Sequence, residues 1–252
     1  RWVYTERYAR RADEGRPVGL PDGLTSVVVI GQAMDRGLVD TVPSALSGAA
    51  TGLGYSKDAL VLLATAQWLR NLGYRAVPSL NDTALAIPLA IQAGLGEYGR
   101  HGMVITPEFG PRVRFGKIFT DLPVAHDQPI EFGVTRFCEQ CRRCSNACPP
   151  GAIPDAGPVA VKLNRSSIGG VRKWSVDGEK CFSYWAQIAN DCMICMRVCP
   201  YNKDFSRFRH RLGRRLAATR LRGMMLWLEE RMGYGKRLRP RDWWKGRDDR
   251  PT

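Results

Sequence analysis

All eight cysteines of this chain fall between positions 138 and 199, and their spacing restricts the fold more than any other feature. The first run is Cys138-x2-Cys141-x2-Cys144-x3-Cys148-Pro149. The second is Cys181-x10-Cys192-x2-Cys195-x3-Cys199-Pro200. Cysteines at x2 spacing wrap three corners of an iron–sulfur cube, and the fourth cysteine of such a run ligates the other cube. The pattern therefore assigns Cys138, Cys141, Cys144 and Cys199 to one [4Fe–4S] cluster, and Cys181, Cys192, Cys195 and Cys148 to the other. Disulfides need no paired runs ending in x3-Cys-Pro, and structural zinc uses C-x2-C pairs without a third close cysteine. No thiol is left over as a nucleophile. The chain is a redox protein whose clusters move electrons one at a time.

The 252 residues suit one large domain or two smaller ones, and a 44% hydrophobic composition is enough for a core. No apolar run reaches the ~18–20 residues that cross a bilayer. The longest candidate, Ala59 to Leu72, is interrupted by Gln67 and Arg70. The chain opens on Arg1-Trp2-Val3-Tyr4 without a charged-then-apolar leader, and it reads as a segment of a longer polypeptide. The net charge is +14, and from Lys203 to Thr252 sixteen Lys/Arg stand against six Asp/Glu. Such a tail suits nucleic acid, anionic lipid or an acidic partner, or is a solvated basic face. Two clusters, each bringing about −2 with its thiolates, make the loaded protein less basic.

Tyr4 to Glu14 reads as a charged helix stopped by Gly15 and Pro17. Thr25 to Ile30 is a β-branched strand. The spacing of Leu60, Leu63, Trp68 and Leu72 predicts a helix over Tyr55 to Leu72, followed by extended Ala76-Val77-Pro78. Asn81-Asp82-Thr83 can cap a second helix to about Ala93, kinked by Pro88 and ended by Gly94. Met103–Thr106 and Arg112–Thr120 read as two strands joined by the Pro107–Pro111 turn. This alternation is α+β or α/β. Composition shifts after Pro129, which divides the chain into a core at 1–130, a cluster module at 131–206 and a basic segment at 207–252. That last segment reads as a helix to about Met232 and an irregular tail with Trp243 and Trp244.

Several stretches carry a resemblance: Gly54-Tyr55-Ser56-Lys57, Asn81 to Ala90, Ala93-Gly94-Leu95-Gly96-Glu97, Ile105 to Arg114, Phe119 to Pro123, Cys181-Phe182-Ser183-Tyr184-Trp185, Gly233-Tyr234-Gly235-Lys236 and Trp243-Trp244. Over roughly positions 50–250 the chain resembles the corrinoid iron–sulfur reductive dehalogenases. The family's twin-arginine leader and N-terminal region have no counterpart in it. The resemblance implies an α+β fold: a nitroreductase-like core that buries cobalamin, joined to a ferredoxin-like module with two [4Fe–4S] clusters. It implies removal of halogen from an organohalide. The chain lacks a D-x-H-x-x-G cobalamin loop, and neither His101, His126 nor His210 lies in such a setting. The corrinoid is therefore expected base-off, with no protein ligand on cobalt.

Tyr55 is by resemblance the proton donor. A phenol has a pKa of about 10, and a neighbouring cation makes it a stronger acid. Arg114 matches the family's basic partner of the tyrosine. Arg112 shares its strand face with Arg114 by alternation and stays open as the alternative, while Lys117 lies on the opposite face. Asn81 matches a position that steadies the substrate or the tyrosine. Thr51, Val104, Ile105 and Phe115 match corrin contacts, with Gly102 and Gly116 allowing close approach of a flat ring. The implied partners are a small organohalide, an electron donor of the quinol, ferredoxin or flavodoxin type, and a small membrane anchor protein. Nucleic acid is not among them. The implied location is the outer face of the cytoplasmic membrane where a twin-arginine leader is present, and the cytoplasm otherwise.

Two other readings fit the cysteines. Epoxyqueuosine reductase, a tRNA-modifying enzyme, has the same cofactors and would explain the basic charge. The Cys181–Cys192 gap and the Phe109 to Arg114 stretch favour the dehalogenases over it. A corrinoid-free electron-transfer protein would not need the ~130 residues that precede the clusters.

Overall fold

The computed structural model describes residues 19–248 except 82 and 165, so the helix expected over Tyr4–Glu14 lies outside the described residues. The elements run β1 (Ser26–Ala33), α1 (Arg36–Asp40), α2 (Ala45–Asn71), β2 (Ala76–Ser79), α3 (Ala86–Gln92), β3 (Glu97–Tyr98), β4 (Val104–Ile105) and β5 (Val113–Thr120). Then come α4 (Val134–Gln140), α5 (Arg143–Asn146), α6 (Gly178–Ile188), α7 (Ile194–Arg197), α8 (Phe208–Ala217), α9 (Arg222–Arg231) and α10 (Pro240–Asp248). No described helix is long and apolar enough to cross a membrane. The chain forms two compact units, which cut across the compositional segments 1–130, 131–206 and 207–252. One comprises residues up to Gln32, Gly54–Leu95 and Arg114–Ile130; the other comprises Ala33–Leu53, Gly96–Val113 and Glu131–Thr252.

The first unit is a three-stranded sheet in the order β1-β5-β2. β2 runs antiparallel to β5, with Ala76 opposite Thr120 and Ser79 opposite Lys117. Leu62, Ala66 and Leu69 of α2 pack with Ala76 and Ile118, and Val28 and Ile30 of β1 close this core. α3 starts at Ala86 rather than at the Asn81–Thr83 cap, and its N-cap Leu85 makes no side-chain capping bond. Pro88 falls in the first turn, where its missing N–H removes no intrahelical bond, so it has no reason to kink the helix. Gly94, at φ +68°, ends α3: its N–H bonds Ile91 O and the Leu95 N–H bonds Ala90 O.

The second unit holds all eight cysteines. β3 pairs with β4, Glu97 opposite Ile105, across the turn at Gly99–Gly102. This replaces the expected hairpin between β4 and β5; the Pro107–Pro111 segment instead closes its own turn, with Thr106 and Gly110 exchanging two backbone bonds of 3.0 Å. Phe137, Trp174, Tyr201 and Phe205 form one core with Cys138, Cys141 and Cys199. Val39, Val42, Ile153, Ile194 and Val198 form another with Cys144.

α2 starts ten residues before the apolar spacing predicts. Its first turns are small residues with three glycines, which give no apolar period, but Ser44 and Ser47 cap them reciprocally: Ser44 N donates to Ser47 Oγ (3.2 Å) and Ser47 N to Ser44 Oγ (3.3 Å). The helix expected over 207–232 is two helices. Thr219 Oγ1 donates to Leu216 O (2.8 Å) and accepts from Leu221 N (3.1 Å), which diverts the backbone from its helical bonds. The tail is a helix too, with Pro240 at its first position.

Candidate functional site

In the first unit, α2, the β2–α3 loop and β5 bring Tyr55, Asn81 and Arg114 together. Asn81 Nδ2 donates to the Tyr55 hydroxyl at 2.8 Å. The Arg114 guanidinium carbon stands 3.6 Å from the centroid of the Tyr55 ring, a cation–π contact at close range. Tyr55 is 37% exposed and Asn81 is exposed, so the phenol faces solvent while its ring is held from behind. The two candidate arginines separate cleanly. Arg112 precedes β5 and is buried, donating to Met34 O (2.9 Å) and Lys203 O (3.1 Å). Only Arg114 meets the tyrosine.

Lys117 and Asp58 belong to the same neighbourhood. Lys117 is fully buried, and its Nζ donates to Leu80 O and to Ala84 O (the latter 2.9 Å), tying down the loop that bears Asn81. Asp58 is 2% exposed. Burial pushes its carboxyl above the ordinary range, opposed first by Arg114 and then by Lys117. The sequence reading missed Asp58, although its place three residues after Tyr55 on a helix was a usable signal.

The positions matched by resemblance to corrin contacts differ in burial. Val104 and Ile105 are core side chains, 1% and 0% exposed. Phe115 is buried and Thr51 is half-buried. A Cβ on Gly102, which sits at φ +80°, would meet Val176 at 2.9 Å; one on Gly116 would meet Leu62 Cδ1 at 2.4 Å and Asp58 Oδ1 at 2.5 Å. The closeness at these two glycines is thus between parts of the chain. His101 is buried, which pushes its pKa down to about 4, and its Nδ1 accepts from Met103 N. His210 lies against Asp204 O and Tyr234, and His126 is exposed.

In the second unit the thiols fall into two sets. Cys199 feels the charge of Cys138, Cys144 and Cys141. Cys195 feels Cys144 of the first set most, then Cys192, Cys181 and Cys148, while Cys181 and Cys192 both feel Cys148. The structure therefore brings Cys199 to the first run and Cys148 to the second. Burial pushes the Cys138 and Cys144 thiols up to about 12, and the neighbouring thiols add to it. Such thiols ionise only against a strong local cation, which an iron cluster supplies. Among the described residues no three His, Cys, Asp or Glu converge on a single metal ion; a cube spreads its four thiolates wider than one ion does. Arg100 braces the first run. It is 1% exposed, lies over the Trp174 ring, and donates to the carbonyls of Cys138, Glu139, Pro154, Asp155 and Ala156. Nothing in its sequence setting announces this.

Comparison with known proteins covers the stretches that hold these residues. Residues 15–124 match the family described as reductive dehalogenase subunit, and residues 137–202 match the 4Fe–4S double cluster binding domain. The tetrachloroethene reductive dehalogenase of Sulfurospirillum multivorans is 35% identical over 229 residues, covering 90% of this chain and 46% of that protein. A solved reductive dehalogenase, whose structure suggests a mechanism for B12-dependent dehalogenation, superposes with a TM-score of 0.77 at 28% identity, covering 86% of this chain and 32% of its own. The chain thus spans under half the length of these relatives. The epoxyqueuosine reductase of Lactococcus garvieae is more distant, 29% identical over 146 residues that cover 51% of this chain. With a dehalogenase-subunit region followed directly by a double-cluster domain, the chain belongs to the reductive dehalogenase family.

Proposed function

We propose that the protein to which this chain belongs replaces halogen by hydrogen on an organohalide, consuming two electrons and one proton and releasing halide. The observation that carries this reading is the solvent-facing Tyr55 hydroxyl, which accepts from Asn81 while Arg114 covers its ring. Cobalamin, in a nitroreductase-like core, is the cofactor that fits this reading, and when bound it supplies the electrons that break the carbon–halogen bond. Of the chain's histidines, His101 is buried, His210 is turned to internal partners, and His126 is an exposed loop residue. Thr51, one turn before Tyr55 on α2 and half-buried, is the position of the chain that would hold the cobalamin.

The chain's own residues would manage the proton. Because the Tyr55 oxygen accepts from Asn81, its own O–H is available to the carbon that loses halogen. The phenolate left behind would keep the Asn81 N–H and gain the charge of Arg114, the two interactions that lower the cost of ionising a phenol. Lys117 holds the Asn81 loop through two carbonyls, so the donor does not drift. Electrons would arrive through the two cysteine-held clusters from a quinol, ferredoxin or flavodoxin. A small membrane anchor protein and a place on the outer face of the cytoplasmic membrane extend the same reading.

The test is anaerobic reconstitution of the full-length protein with iron, sulfide and cobalamin, followed by a screen of haloarenes and haloalkenes for free halide. Halide release is expected. Fully loaded protein that releases none and instead converts epoxyqueuosine in tRNA would replace this reading with tRNA modification. Loaded clusters with no uptake of cobalamin would reduce it to electron transfer alone.

A further inference from the structure

We infer that Asp58 is a positioning residue for the Tyr55–Arg114 pair, a buried counter-charge that restrains the Arg114 guanidinium beside the Tyr55 phenol. The proton's destination rests on the dehalogenation reading; the electrostatic coupling does not.

The geometry is specific. Asp58 follows Tyr55 by three residues on α2, so the two side chains share a helix face. That face meets β5 at Gly116, where Asp58 Oδ1 occupies ground that any Cβ would invade at 2.5 Å. Arg114 stands two residues before Gly116 on the same strand face, with its guanidinium over the Tyr55 ring. One helix face and one strand face thus put a phenol, a guanidinium and a carboxylate in a single cluster. Two of its atoms, Asp58 Oδ1 and Arg114 Nε, are buried without a hydrogen-bond partner among the described residues. A buried carboxylate with an unsatisfied oxygen is costly, and such groups gather where charge is being tuned. Among the described residues the charged groups facing Asp58 are Arg114 and Lys117, both from β5. Lys117 is anchored on Leu80 O and Ala84 O, which leaves Arg114 as the cation that Asp58 can restrain beside the phenol. A lone guanidinium on Tyr55 would favour phenolate; the carboxylate behind it offsets that pull.

The test follows Tyr55 directly, in cluster-loaded protein labelled with fluorotyrosine, its resonance assigned by loss in Tyr55→Phe. Asp58→Asn keeps the side-chain volume and removes the charge, and the Tyr55 ionisation midpoint is expected to fall by about one pH unit. An unchanged midpoint in folded Asp58→Asn overturns the inference. A second arm needs no change at Asp58. In Arg114→Gln the Asp58 carboxyl, read by NMR of carbon-labelled aspartate, is expected to titrate higher than in the parent, and an unmoved midpoint again overturns the coupling. With a haloarene, the alkaline limb of kcat should move down with the phenol midpoint in Asp58→Asn while KM holds. Coupled titrations without halide release would sink the proposed reaction and leave Asp58's role standing, whereas halide release with uncoupled titrations would sink this inference alone.

Discussion

Tyr55, Asn81 and Arg114 come from three separate stretches of sequence, and the residues around the tyrosine predict different losses. Tyr55→Phe removes the donated proton but keeps the ring under Arg114. Cluster and cobalamin content should be unchanged, while kcat falls by about 10²–10³, the range of a positioned acid. Arg114→Leu should cost about 10² in kcat. Arg112→Leu should act differently, because Arg112 is bonded to Met34 O and Lys203 O rather than to the tyrosine. It should lower the melting temperature, by stranding two buried carbonyls, and leave the rate of the folded fraction intact. His101 gives a pH signature. Its folded pKa of about 4 lies below its ordinary 6.5, so the folded state binds the proton less readily than the unfolded chain. The stability of neutral His101 is fully present above pH 6.5 and drains away as pH falls toward 4. Denaturant titrations across that window should show a shallower decline for His101→Asn than for the parent.

At the scale of elements, α2 and β5 make the tyrosine site, and their approach depends on a missing side chain. A methyl group at Gly116 would overlap Leu62 and the Asp58 carboxylate. Gly116→Ala should therefore destabilise the first unit by about 1–3 kcal/mol, the usual cost of overpacking, and displace Asp58 and Arg114 with it. The measurement is thermal unfolding together with the Tyr55 titration. The resemblance attached Gly116 to a flat cofactor, but the strand–helix contact is reason enough for glycine there. The N-terminal turns of α2 escaped the apolar pattern because they are built from small residues and reciprocal serine caps. Ser44→Ala should cost about 1 kcal/mol. Strand pairing is where local reading went furthest astray: Pro107–Pro111 looks like a hairpin turn, yet β4 and β5 belong to different sheets.

For the whole molecule, the clusters are part of the fold of their unit as well as its chemistry. Cys138, Cys141 and Cys199 lie in one core with Phe137, Trp174 and Tyr201. Chelating the iron should therefore lower the melting temperature and red-shift Trp174 emission as solvent enters. The sequence alone pointed to eight ligands in two sets, because thiolate spacing around a cube is a local property of the backbone. By resemblance it also named Tyr55, Asn81 and Arg114, but it left Arg112 open, since alternation on a strand says nothing about which arginine meets a helix. Only the tertiary structure decided that choice. It also showed that Asp58 is buried, where the sequence offered only its spacing from Tyr55, and that Arg100 lies behind the first cysteine run. Arg100 is bonded to carbonyls distant in sequence, and a buried charge is defined by what surrounds it, which residue order does not record.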